Sequence, residues 1–90
     1  MKKLLLVITA ITLPSILNAQ IAIQDNSAIQ GKIFAVKTAK KYSSVEGCTK
    51  IALSKSKVEG FTLEPKSQKC TLYKKVRKIQ AKEGFISGTK

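Results

Sequence analysis

Two cysteines and seventeen basic residues carry most of the chemistry this sequence has to offer. Cys48 and Cys70 are its only thiols, it has no histidine, and its carboxylates are Asp25, Glu46, Glu59, Glu64 and Glu83. Without a histidine, a serine or cysteine nucleophile lacks its ordinary base near neutral pH. No two carboxylates stand three or four residues apart, the helical spacing that would build an acid/base dyad. Two cysteines and five scattered acids do not close a tetrahedral metal site. No glycine-rich phosphate loop is present. The residues therefore argue against an enzyme, and they imply neither a metal nor a cofactor.

The bases point instead to binding. Of the 17 basic residues only Arg77 is an arginine. Lysine acts as a diffuse point charge, whereas arginine makes geometrically defined bidentate contacts. The densest run is Lys66, Lys69, Lys74, Lys75, Arg77, Lys78 and Lys82, with no acid between Glu64 and Glu83. It is the candidate ligand-binding surface. Lys40, Lys41, Lys50, Lys55 and Lys57 form a candidate second patch, and Tyr42 and Tyr73 offer aromatic faces for a sugar. Such an excess of charge attracts anionic surfaces, so the expected partner is an anionic glycan, lipopolysaccharide or an acidic protein. DNA would be attracted only non-specifically. The competing reading is a solvated basic face that serves solubility, with the tyrosines half in the core.

The amino terminus sets the compartment. Lys2 and Lys3 precede an apolar run from Leu4 to Leu17, followed by Leu17-Asn18-Ala19. This is the pattern of a secretory signal peptide cleaved after Ala19. A membrane anchor would need about 20 apolar residues, and Pro14 interrupts a run of about 14. Residues 1–19 are thus expected to be the signal and residues 20–90 a single exported domain, periplasmic or secreted, with no membrane span. Removing Lys2 and Lys3 from the 17 bases leaves 15 against five acids, about +10. A domain this short lies near the lower limit for folding on a hydrophobic core alone. Two cysteines in an exported chain then read as one disulfide, Cys48–Cys70.

Several elements must position these residues. Gln20–Gln30 reads as a first edge strand or a loose arm, broken at Gly31. Lys32–Thr38 is rich in β-formers and reads as a strand. Ser43 and Glu46 form a capping-box signature for a helix from about Ser44 to Lys55. Val45, Cys48, Ile51 and Ala52 share its apolar face. Val58–Glu64 reads as a central strand, Pro65–Gln68 as a turn with Pro65 at its second position, and Lys69–Lys75 as the returning strand. In that strand Cys70 and Leu72 face one side, and Lys74 projects opposite Lys75. Val76–Glu83 reads as a basic loop and Gly84–Lys90 as a short closing strand. Phe61, Leu63, Leu72, Ala52 and Val58 are the expected core. The fold class is α+β: one short helix on a small antiparallel sheet, with one disulfide.

The stretch "VEGFTLEPKSQKCTLYKK" after a helical cysteine, together with the ending Ser87-Gly88-Thr89-Lys90, resembles the PAN/apple domain family. In that family a helical cysteine is followed by a "C-x-x-F-T" strand, a turn and a "C-x-L" strand. Many bacterial members end in "SG-x-K". The resemblance covers about Ser43 to Lys90. A second helix–strand bridge common in the family would fall at Ala52 and Val58, and the bridge between termini found in apple domains proper has no cysteines here. The resemblance implies a minimal member: a non-catalytic module for protein–protein or protein–carbohydrate contact, with no ligand residue that carries over. The alternative is a cationic, membrane-active or envelope-associated polypeptide. That would require a large amphipathic helix, and the expected helix is short and tied by Cys48.

Overall fold

The computed structural model describes residues 21–90. The segment read as a signal peptide, and its cleavage site, lie outside the described residues. Strand β1 runs Ala22–Lys37, a single 3-10 turn follows at Lys40–Tyr42, and helix α1 spans Val45–Ser54. Strands β2, Gly60–Glu64, and β3, Lys69–Thr89, complete an antiparallel sheet of order β1-β3-β2. The architecture is α+β, one helix with a three-stranded antiparallel sheet.

Helix α1 begins one residue later than the capping box suggests. Ser44, in extended conformation, is the N-cap, and its Oγ accepts the Gly47 N–H at 3.0 Å. Ser43 instead donates its hydroxyl to the Lys40 carbonyl and closes the preceding turn. The N3 position therefore holds Gly47, so Glu46 has no part in a reciprocal cap. Cys48 and Ala52, one turn apart, are fully buried. The Cys48–Cys70 disulfide joins α1 to the start of β3, with Cα atoms 5.7 Å apart. Around it lie Val58, Phe61, Leu63 and Leu72, each no more than 1% exposed. The expected core residues thus form one cluster, and Ala52 and Val58 both belong to it.

The sheet is longer and more curved than the sequence pattern implies. The segment expected to form two strands and a loop, Lys69–Lys90, makes one strand of 21 residues, Lys69–Thr89. Gly31 does not break β1, which pairs with β3 along its whole length. Phe61 pairs with both Leu72 and Gly88, so β2 has a β3 segment on each edge, both antiparallel to it. The chain between those segments must pass from one edge of β2 to the other. It does so as a two-stranded ribbon with β1, crossing the face of β2 that carries Thr62. Register shifts at Asn26, between Gln30 and Gly31, and on either side of Ile33 bend the ribbon. At the first, Asn26 adopts φ 50° and its side-chain oxygen accepts the Gly84 N–H.

Hydroxyls hold the ribbon down. The Ile29 N–H donates to Thr62 Oγ1 at 2.9 Å, and Ser87 Oγ donates to the Ser27 carbonyl at 2.8 Å. Ser87 has one proton and spends it on Ser27, so the 3.0 Å contact between the two hydroxyls is donated by Thr62. At the β2–β3 turn the hydrogen bond runs from the Gln68 N–H to the Pro65 carbonyl. Pro65 is the first residue of that turn, not the second.

Candidate functional site

The ribbon presents most of the bases. Lys74, Lys75, Arg77 and Lys78 are all exposed. The expected alternation of side chains does not survive, because β3 carries extra residues in this region. Tyr73 pairs with Ile33 and Lys75 with Lys32, leaving Lys74 unpaired. Val76 pairs with Gly31 and Lys78 with Gln30, leaving Arg77 unpaired. On a regular strand Arg77 and Lys78 would point to opposite faces. Here both line one cleft of about 510 Å³, with Ile29, Gln30, Gly31, Ile33 and Tyr73. The bulge that aims them together needs a glycine across from it. A Cβ at Gly31 would collide with the Lys75 carbonyl oxygen.

The cleft mixes chemistries. Ile29 is buried and Ile33 is 53% exposed, giving an apolar part. Tyr73 is half-buried, and burial raises its hydroxyl above the ordinary 10.0, opposed in part by the Thr62 hydroxyl beside it and aided by the Glu64 carboxylate. At neutral pH that hydroxyl is protonated and able to donate. Arg77 and Lys78 supply positive charge, and Lys75 sits directly across from Lys32. Lys32 thus belongs to this basic surface although it lies far from it in sequence. One acid is near: the Glu59 carboxylate accepts the Val76 N–H at 3.0 Å, on the side of a separate cleft lined by Val58, Glu59, Val76 and Ile79.

The remaining candidate bases are elsewhere. Lys66 lines a smaller cleft with Glu64, Ser67, Glu83 and Phe85. Lys69 Nζ lies 3.8 Å from the Glu64 carboxylate, and Lys82 Nζ sits 4.6 Å above the Phe85 ring. Lys66 and Lys69 thus lie beside acids at the β2–β3 turn, and Lys82 covers the Phe85 ring that lines the same cleft. The seven bases therefore divide into a group around the β2–β3 turn, Lys66, Lys69 and Lys82, of which Lys69 is paired with Glu64, and a ribbon group, Lys74, Lys75, Arg77 and Lys78. The helix-side patch is also divided. Lys41 and Lys50 share a cleft of about 440 Å³ with Tyr42, Glu46 and Ile51, and Lys41 Nζ lies 5.2 Å from the Tyr42 ring centroid.

Sequence reasoning singled out Arg77, Lys78 and Tyr73 but missed Gln30, Gly31, Ile33 and Lys32. A glycine amid β-formers was the available signal, and it marks a close approach of strands rather than an end of one. Among the described residues no group of His, Cys, Asp or Glu is placed to hold a metal ion, and no helix is long and apolar enough to cross a membrane.

No family model matches the chain, and no curated protein is significantly similar to it.

Proposed function

We propose that the chain is an exported, non-catalytic binding module of PAN/apple type that engages an anionic partner through the β1–β3 ribbon. The partner is an acidic glycan, lipopolysaccharide or an acidic protein. The observation that carries this reading is the convergence of Arg77 and Lys78 in one cleft, flanked by exposed Lys74, Lys75 and Lys32. The signal-like amino terminus supports export, and a buried disulfide fits an oxidising compartment. The family reading draws support from the bridge between helix and returning strand, and from the contacts of the Ser-Gly-x-Lys ending. Ser87 ties the ribbon to β2. A Cβ at Gly88 would lie 2.5 Å from the Phe61 ring, so glycine leaves room for that ring. Lys90 donates from Nζ to the Lys55 carbonyl at 2.9 Å.

Retention on immobilised heparin and lipopolysaccharide tests the reading. Exposed charges act over about 8 Å at physiological salt, so retention falls as salt rises. Lys75→Glu with Lys78→Glu is expected to elute at clearly lower salt than the wild type. Lys55→Glu with Lys57→Glu, on the helix side, changes net charge equally and is expected to shift elution less. Lys32, which the sequence sets apart from the basic segment, is expected to behave like Lys75. Equal elution of both double variants would reduce the ribbon to a solvated face.

A further inference from the structure

We infer that the cleft between β1 and β3 is a subsite for one acidic sugar unit, a pyranose bearing a carboxylate or a sulfate. The inference rests on the proposed function and narrows it from an anionic surface to a defined site. Its basis is the placement of the chain's single arginine. Among 16 lysines, Arg77 occupies the bulge position and lines the same cleft as Lys78. A guanidinium matches a carboxylate or sulfate with two parallel hydrogen bonds, which a lysine does not. The rest of the lining suits the remainder of a sugar. Ile33, 53% exposed, offers apolar surface to ring C–H groups over the buried Ile29, Tyr73 adds an aromatic wall, and Gln30 offers an amide to ring hydroxyls. A cleft of about 510 Å³ accommodates a single sugar unit and leaves neighbouring units of a polymer to the exposed lysines outside it.

Calorimetric titration of the folded domain with short oligosaccharides tests this. Three probes are used: a heparin-derived tetrasaccharide, a galacturonate trisaccharide and neutral chitotriose. The wild type is expected to bind at least one acidic probe and to bind chitotriose far more weakly. Binding of the galacturonate trisaccharide shows that a carboxylate suffices, and binding of the heparin tetrasaccharide alone shows that sulfate is needed. Arg77→Lys keeps the charge, so heparin-column elution stays nearly unchanged, but affinity for the acidic probe falls about tenfold as the bidentate contact is lost. Ile33→Ser, at an exposed position, weakens binding without altering charge. Column retention that persists while Arg77→Lys binds the acidic probe as tightly as wild type overturns the subsite and spares the proposed function. Chitotriose binding equal to that of the acidic probes also overturns it. Failure of the wild type to bind the columns at all overturns both.

Discussion

On one face of β2, Phe61 and Leu63 lie under α1 in an apolar cluster fastened by Cys48–Cys70. On the other face, Thr62 meets the β1–β3 ribbon through hydroxyl and backbone hydrogen bonds. The first face contains the largest buried side chains in the described residues. The second is closed by Ser27, Ala28, Ile29, Thr62 and Ser87, mostly small or polar. Apolar burial and a covalent link are non-directional or permanent. A chain of hydrogen bonds depends on each member having its partner, because an unmet buried donor costs more than a formed bond contributes. The α1 face is thus the anchor of the fold, and the ribbon face sets the position of the basic cleft. Stability and binding should separate accordingly.

The largest effect is expected at the anchor. Phe61→Ala removes a fully buried ring and should cost about 3–5 kcal/mol. A denaturation midpoint that barely moves would show that the ribbon face holds the fold instead. Next comes the disulfide. Cys48→Ala or Cys70→Ala opens a loop with a sequence separation of 22, worth roughly 3 kcal/mol in the chain-entropy model. The two single variants should destabilise alike, and the double variant no more than either. Alkylation of the folded protein without reductant should label no cysteine. A smaller effect belongs to the ribbon. Thr62→Val keeps the shape but leaves the Ile29 N–H without its acceptor, at a cost of about 1–3 kcal/mol. Amide exchange sharpens the comparison. In Thr62→Val, protection should fall at Ile29 and its neighbours in the ribbon while amides of α1 keep theirs. Uniform loss across both faces would mean that the two are one cooperative unit. At the small end, charge reversal at Lys75 and Lys78 should leave the melting temperature nearly unchanged while altering retention on anionic columns.

The anchor face was readable from the sequence because its signals are local or few. Cys48, Ile51 and Ala52 fall at helical spacing, and only two cysteines exist to pair. Val58, Phe61, Leu63 and Leu72 stand in runs short enough to be read as strands. Around the cleft the reading stopped at residue types. The segment from Val76 to Glu83 looks like a loop because its side chains are mostly polar and solvated, while its strand character comes from backbone pairing with β1. Backbone pairing leaves no mark in side-chain pattern when neither face of a ribbon is fully buried. Gly31 looked like a break for the same reason.

The helix and its apolar face, the central strand, the core cluster and the excess of positive charge were determined by the sequence, since each depends on residue type and near-neighbour spacing. Tertiary structure alone decided which bases stand together. Side chains alternate along a regular strand, and one extra residue reverses that alternation for everything beyond it. The extra residues at Lys74 and Arg77 arise from the register between β1 and β3, strands separated in the chain by the helix and β2. That register brought Lys32 opposite Lys75 and put Arg77 beside Lys78 in one cleft. It also left Lys66 and Lys69 beside the acids at the far turn and Lys82 over Phe85.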